Sequence, residues 1–393
     1  MKKNGAVLIS GAGIAGLTLA TLLKEQGYEP LVVERNKSLR TEGYMMDFFG
    51  SGWDVAERMG LTDELRAIHY PIDALQFVDA KGKIYASVPI DRIGRALGGN
   101  YVYLRRSDLE RILYERAAAQ GVPIRFGSVV TALRETDTAM RATFVDGAEA
   151  DFALVFGADG VHSGVRRLVF GEGRQFERFL GGYVAAYHLK RHKFKIGRAL
   201  KLYEEPDRVA AFYPLDAQRM DATYVFRHDD VHVLPEERLS FVRKEFKGAG
   251  WIAEKMLKAY RAKEPIYFDS LTQIVMPHWH KGRVALLGDA CGCLTLLAGQ
   301  GSHMAMAGAY VIARELARHG GDYEAAFGAY EAKLKPEVTA RQNDAATFAR
   351  YFIPSKKSRP WLRRLVIRLM FSPLALPLAF RWFGAKSVLR GYQ

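Results

Sequence analysis

The sequence predicts an α/β protein: a Rossmann-like nucleotide-binding domain, an antiparallel-sheet domain and C-terminal helices. Three observations carry this prediction. Short apolar runs end in glycine-rich turns at three separate places, residues 175–275 switch to short aromatic-rich segments, and the last stretch becomes basic and amphipathic. At 393 residues and 49% hydrophobic content, the chain is large enough to bury two packed cores.

Ala6–Ser10 reads as a buried strand, Gly11-Ala12-Gly13-Ile14-Ala15-Gly16 as a tight turn and Leu17–Gln26 as a helix. The pattern meets three needs: a turn at Gly11, close backbone approach to a pyrophosphate at Gly13, and helix-on-strand packing at Gly16. A second strand, Pro30–Val33, ends in Glu34, 18 residues past Gly16, where a carboxylate can hold a ribose hydroxyl pair; Arg35 follows. Glu34 would repel a 2'-phosphate, so the expected ligand is the ADP half of FAD or NAD. Short strands alternate over 71–90, and Ser107–Gln120 is an amphipathic helix opened by Ser107. Strand pieces at Val122–Phe126, Val129–Arg134 and Ala142–Val145 lead to the apolar run Phe152–Phe156, which enters Gly157-Ala158-Asp159-Gly160 and a helix start. Gly182–Leu189, Ala199–Tyr203, Val209–Pro214 and Asp221–Phe226 read as an antiparallel sheet. Arg283–Leu287 then delivers Gly288-Asp289-Ala290 at its carboxyl end, followed by Ala298-Gly299-Gln300-Gly301 and a helix over Ser302–Ala317. Ligands of open parallel sheets sit at those strand ends, so the three motifs are expected to converge on one cofactor.

With these motifs in this order, residues 5–345 resemble the class A FAD-dependent monooxygenases, the p-hydroxybenzoate hydroxylase-like superfamily. The resemblance implies a GR2-type FAD-binding domain from residues 1–72, 100–175 and 276–345. It also implies a substrate-binding sheet domain from 73–99 and 176–275, and a basic helical segment over 346–393. It puts the ADP part on Gly11, Gly13, Ala15 and Gly16, and assigns Asp159 to FAD and to the transient visit of NADPH or NADH. The ribityl chain and pyrophosphate fall to Gly288 and Asp289. Gly43-Tyr44-Met45-Met46-Asp47-Phe48-Phe49-Gly50-Ser51-Gly52, with Arg106-Ser107-Asp108-Leu109, most resembles the flavin enzymes that inactivate tetracyclines. That likeness places Arg106 near the flavin and Met45 to Asp47 beside its ring or the substrate. Read from the residues alone, the first segment is a strand and loop, and Ser107-Asp108 a helix cap.

The implied activity is NAD(P)H-dependent hydroxylation of an aromatic or polycyclic small molecule through a flavin C4a-hydroperoxide, with molecular oxygen as co-substrate. Backbone N–H groups at Gln300 and Gly301, behind Gly299, are expected to stabilise negative charge on the reduced flavin; no catalytic side chain is required. A dry pocket would protect the oxygen chemistry. Tyr183, Tyr187, Tyr213, Tyr224 and Phe226 are its candidates by position, with core packing as the other reading. His188 or Arg227 would orient a phenolate or lie on a solvated strand face. One stretch departs from the family: the Ala-His, prolines and Asn of the relatives are replaced by Cys291-Gly292, Thr295-Leu296 and His303. Two other readings therefore stand beside hydroxylation: an FAD-dependent reductase or dehydrogenase of a lipophilic, isoprenoid-like substrate, and a low-turnover flavin-binding protein. The halogenase branch is disfavoured because the five tryptophans form no Trp-x-Trp pair.

Cys291 and Cys293, one glycine apart, suit neither a zinc site nor a relaxed disulfide and read as small buried residues; no metal is expected. The N-terminal apolar stretch is too short for a secretory signal, so a cytoplasmic protein is expected. Of the net charge of +14, residues 333–393 carry +11, from 13 Lys and Arg against Glu337 and Asp344. Within this tail Pro360 can start a helix with Arg363, Arg364 and Arg368 on one face and Leu362, Leu365, Val366 and Leu369 on another. Pro373 and Pro377 interrupt the apolar stretch that ends at Phe380-Arg381-Trp382-Phe383. The longest uncharged run, Leu369–Phe380, is 12 residues and falls short of a bilayer span. The tail either touches the inner face of the membrane peripherally or packs its apolar face on the domains; no base-reading motif accompanies the charge, so nucleic acid is not an expected partner.

Overall fold

Val7, Leu8 and Ile9 are buried on both faces of the strand Ala6–Ser10, as a central strand of a parallel sheet requires. The computed structural model describes residues 5–40, 44–97, 99–190, 194, 196–216, 218–260, 266–372, 375, 387–390 and 392. Gly43, Pro373, Pro377 and the run 380–383 lie outside the described residues. Among those described, one six-stranded sheet runs in the order His280–Lys281, Val284–Leu286, Leu154–Gly157, Ala6–Ser10, Glu29–Glu34, Ile124–Phe126. All neighbours are parallel except the edge pair His280–Lys281 and Val284–Leu286. Ser10 is opposite Gly157, and Gly157 opposite Leu286, so three adjacent strands end level and release their glycine motifs side by side.

The expected strand Phe152–Phe156 is two strands broken at Ala153. Glu149–Phe152 closes an antiparallel three-stranded meander with Met140–Phe144 and Val130–Glu135, whereas Leu154–Gly157 has moved to parallel partners. The chain changes sheets there, and one continuous strand cannot serve both ladders.

A second sheet has seven strands, ordered Tyr267–Ile274, Glu177–Lys190, Arg219–Arg227, Arg208–Pro214, Ala199–Glu205, Ala74–Val78 and Ile84–Pro89. One face is covered by the helices Arg238–Glu245 and Ala253–Ala259, which bury Tyr187, Tyr224, Phe226, Phe246 and Met256 in a separate core. The opposite face looks towards the parallel sheet. Helix Gly301–Arg318 packs on helices Ile14–Glu25 and Gly50–Arg58, while helix Tyr323–Phe352 runs along its outer side. That 30-residue helix runs across the expected boundary at 345/346. Helix Pro360–Met370 follows, with Pro360 in its first turn. No helix among the described residues is long and apolar enough to cross a membrane.

Candidate active site

The three glycine motifs touch one another, and glycine is required where they do. A Cβ on Gly11, whose φ is +109°, would lie 2.4 Å from the Ala158 carbonyl oxygen, joining the first motif to the second. A Cβ on Gly288 (φ +57°) would lie 3.2 Å from Ala15 Cβ and 3.5 Å from Ala305 Cβ, joining the first to the third. Their shared wall bounds a cavity of about 2100 Å³ that continues to the face of the seven-stranded sheet. A pocket for one drug-sized ligand measures roughly 300–1,000 Å³, so this space suits a dinucleotide plus a second molecule.

Glu34 is held rigidly at the end of the second strand. Its Oε2 accepts from Ala12 N (3.0 Å), and its Oε1 from Asn36 N (3.0 Å) and Asn36 Nδ2 (2.7 Å). The carboxylate thus braces the glycine turn while facing the cavity, with exposed Arg35 beside it. Gly13 precedes helix Ile14–Glu25 with no side-chain cap, which leaves the amide end of that helix free for an anion. Asp159 Oδ2 accepts from Gly164 N (2.8 Å), Val165 N (3.1 Å) and Ser10 Oγ (3.4 Å), tying the second motif to the helix after it. Its buried Oδ1 has no partner.

Asp289 opens a one-turn helix, Asp289–Gly292, and its Oδ1 lies 3.7 Å from where a Cβ on Gly301 would sit. Burial pushes its carboxyl above the usual range, opposed by nearby Arg106. Arg106 forms a 2.8 Å ion pair with buried Glu110; burial works against its charge, but Glu110 and the neighbouring Tyr44, Tyr267 and Asp289 raise its basicity on balance. Asp269, on the sheet's cavity side, is also pushed up by burial, with His162 at 3.9 Å pulling the other way. Gln300 sits at the head of helix Gly301–Arg318 without a side-chain bond to its first turn, and its Oε1 accepts from Arg341 Nε (3.1 Å). Gly299 is left-handed (φ +63°), with open space around its Cβ position. Thr295 adopts φ +89°, a strained conformation for a β-branched residue, and its buried hydroxyl has no partner. An open cradle at Gly13 and Gly301, with orphaned oxygens on Asp159 and Thr295, fits a polar ligand the size of FAD.

His303 stands where the sequence departs from the family pattern, and its role was not legible there. It is buried between Phe48 and Phe49, with ring centroids at 5.3 and 4.8 Å, and its Nε2 accepts from Phe49 N (3.3 Å). Burial lowers its pKa to about 4, so it is a neutral acceptor. A Cβ on Gly52 would lie 2.8 Å from its ring, which explains why the segment after Phe48 contains glycine.

Strand alternation decides which aromatics face the cavity. Thr223, Val225, Ala211, Val209, Leu202 and Tyr213 line it, together with Met45, Asp47 and Phe77. Tyr224 and Phe226 do not, and their assignment to substrate is corrected: they point to the opposite face, where Tyr224 Oη donates to Ala253 O (3.0 Å). Successive side chains of a strand take opposite faces, and Thr223 and Val225 hold the cavity positions. Tyr187 stacks on Tyr224 in that core, and Tyr183, paired with Phe226, reaches only the cavity rim, where its Oη accepts from Val231 N (2.9 Å). Arg227 donates to the carbonyls of Arg350 and Ile353 (both 2.6 Å), and His188 joins Arg105 to buried Asp221, so neither faces a ligand. Asp47 opens onto the cavity yet lies deep enough for burial to raise its carboxyl, and it accepts from Tyr101 Oη. Cys291 and Cys293 are buried free thiols, both pushed up by burial. The inner face of helix Pro360–Met370 completes the wall with Ile367 and Met370.

The chain is similar to known flavoproteins over most of its length. The FAD binding domain family model matches residues 4–340. A flavin-dependent monooxygenase from an unknown prokaryotic organism is 32% identical over 348 residues, covering 87% of this chain and 88% of its own. Among solved structures, the tetracycline destructase Tet(51) is 30% identical with a TM-score of 0.79, covering 94% of this chain and 98% of its own. Tet(55) is 28% identical with a TM-score of 0.84 and 99% coverage of both chains.

Proposed function

The chain belongs to the FAD binding domain family and is an FAD-dependent oxidoreductase of the monooxygenase kind, and from that premise we propose that it hydroxylates an aromatic or polycyclic small molecule with NADPH or NADH and molecular oxygen. The observation that carries this reading is the cavity shared by the three glycine motifs and one face of the seven-stranded sheet. Relatives described as monooxygenases and destructases of a polycyclic drug support the substrate class. When bound, FAD supplies the two-electron chemistry with NAD(P)H and the activation of oxygen at its C4a carbon.

The chain's own residues position and shield. Gly13 and Ala15, at the amide end of helix Ile14–Glu25, would bring backbone N–H groups to the pyrophosphate; Gly11, whose N–H donates to Val33 O (2.7 Å), shapes the turn, Gly16 packs against it, and Glu34, backed by Asn36, would accept from the ribose hydroxyls. Arg35 and Asp159 line the same cavity, where Arg35 would sit by the adenosine end and Asp159 would help hold the cofactor. Gly288 and Gly299, both at positive φ, shape the turns that bring Asp289 to the cavity, where it would hold the ribityl chain. Gly301 opens an 18-residue helix whose amide end, with Gln300, lines the cavity and would favour negative charge on a bound flavin. Arg106 adds a cation that Glu110 holds in place. Met45 and Tyr213, with the Asp47–Tyr101 pair, contact the substrate at the end of a wall that excludes water, and Tyr183 borders the opening. Under this reading the enzyme works in the cytoplasm, with its basic C-terminal segment against the inner face of the membrane.

Purified protein loaded with FAD should show coupled NAD(P)H oxidation and oxygen uptake, stimulated by a member of an aromatic and polycyclic panel. Substrate-stimulated NAD(P)H oxidation with no oxygen consumed would instead establish the reductase reading, which the strained Thr295 in place of a family proline favours.

A further inference from the structure

Helix Pro360–Met370 is anchored to the protein through its arginines and leaves a row of apolar side chains exposed. Arg363 Nε and Nη2 meet the Glu204 carboxylate at 2.9 and 2.8 Å, and its other contacts reach the carbonyls of Tyr351 (2.7 Å) and Phe352 (2.8 Å). Arg364 lies over the Tyr85 ring, and Arg368 Nε donates to the Tyr85 carbonyl (2.7 Å). These contacts fix the roll of the helix. Ile367 and Met370 are thereby turned to the cavity, while Trp361, Leu365 and Leu369, one row at spacing i, i+4, i+8, are 62, 45 and 60% exposed. A helix packed on a soluble core has the reverse arrangement, and a contiguous exposed apolar patch marks an interaction surface.

Charge and position identify the partner. No Asp or Glu follows Asp344, and exposed Lys356, Lys357, Arg359, Arg364 and Arg368 border the apolar row. A cationic rim around a tryptophan-bearing apolar stripe complements an anionic bilayer surface. Leu362 and Val366, 44 and 52% exposed, belong both to this outer surface and to the cavity lining, so stripe and cavity mouth are continuous. We propose that helix Pro360–Met370 seats on an anionic bilayer surface and turns the mouth of the cavity towards the lipid. The seating stands on the helix geometry; only its value for a lipophilic substrate rests on reading the cavity as the substrate site.

The test is flotation of the full FAD-loaded chain with vesicles of phosphatidylcholine, or of phosphatidylcholine and phosphatidylglycerol. Partition onto the mixed vesicles should exceed that onto neutral ones by about tenfold or more, and added salt should reduce it. Trp361→Ser/Leu365→Ser/Leu369→Ser should fall to the neutral-vesicle level while keeping its FAD content, because none of the three lines the cavity. A polarity-sensitive dye on Ser358→Cys, at the mouth, should shift to the blue on the mixed vesicles, while the same dye on Asp146→Cys should not. Wild-type protein left in solution with both lipids, a triple variant that floats as well as wild type, or an unshifted dye at 358 overturns the proposal. So does a wild-type dimer that the triple variant converts to monomer while neither floats, which assigns the stripe to a second copy. None of these readouts uses turnover, so a loss of activity on every panel substrate refutes the functional reading and leaves the docking result standing.

Discussion

Replacing His303 by glutamine should flatten the acid limb of the stability curve. The side chain is 3% exposed, and its pKa is lowered from 6.5 to about 4, chiefly by burial, with Arg341 adding a smaller contribution in the same direction. Because the folded value is the depressed one, the unfolded chain takes up the proton first. The stabilisation is therefore complete above pH 6.5 and disappears as the pH falls through about 4. A difference of this size corresponds to roughly 3 kcal/mol in full, of which about 2 kcal/mol is lost by pH 5. Glutamine keeps an acceptor for Phe49 N and removes the titration. Urea unfolding of both proteins with excess FAD from pH 7.5 to 4.5 reads the difference: wild type should lose about 2 kcal/mol more than His303→Gln. Parallel curves would show that His303 is not a buried neutral acceptor, and the account of the Phe48–Phe49–His303 contact would fail with it.

Further outcomes follow from the same geometry. Gly11→Ala places a Cβ 2.4 Å from a backbone oxygen at a φ of +109°, so the purified protein should lack most of its 450 nm flavin absorbance; normal flavin content contradicts the contact between the first two motifs. Asp289→Ala should likewise be largely flavin-free, and a fully yellow preparation would remove Asp289 from the cofactor site. Tyr224→Phe removes a donor to Ala253 O from the far side of the sheet and should cost about 1 kcal/mol of stability with KM unchanged. Ala211→Phe, on the cavity side, should do the opposite, raising KM at least tenfold while FAD stays bound; similar KM values for the two variants would invert the assignment of faces.

Much of the cofactor side was legible because its signals are local. A turn that needs positive φ or bare backbone selects glycine, and an apolar run before it is a buried strand; Gly11, Gly16, Gly157 and Gly288 could each be read singly. What sequence reasoning missed lies between distant segments. His303 meets Phe49 across 254 residues, and Arg363 meets Glu204 across 159. The substrate wall was half misread for a different reason: aromatic side chains fill both faces of the sheet, and without register Tyr224 and Thr223 cannot be told apart as core or cavity.

The sequence by itself determined the α/β class, the order of the three motifs and the preference for the ADP half of FAD or NAD, since backbone conformation and side-chain charge at a turn are short-range properties. The tertiary structure decided that those motifs share one wall, that Thr223 and Val225 rather than Tyr224 and Phe226 face the cavity, and that Arg363 turns inward while Trp361, Leu365 and Leu369 stay exposed. Each of these depends on register and helix roll, which are set by long-range packing and ion pairs. The tail shows the division well. Periodicity revealed that Pro360–Met370 has two faces, but only Glu204, Tyr85 and the carbonyls of Tyr351 and Phe352 determined which face the protein keeps.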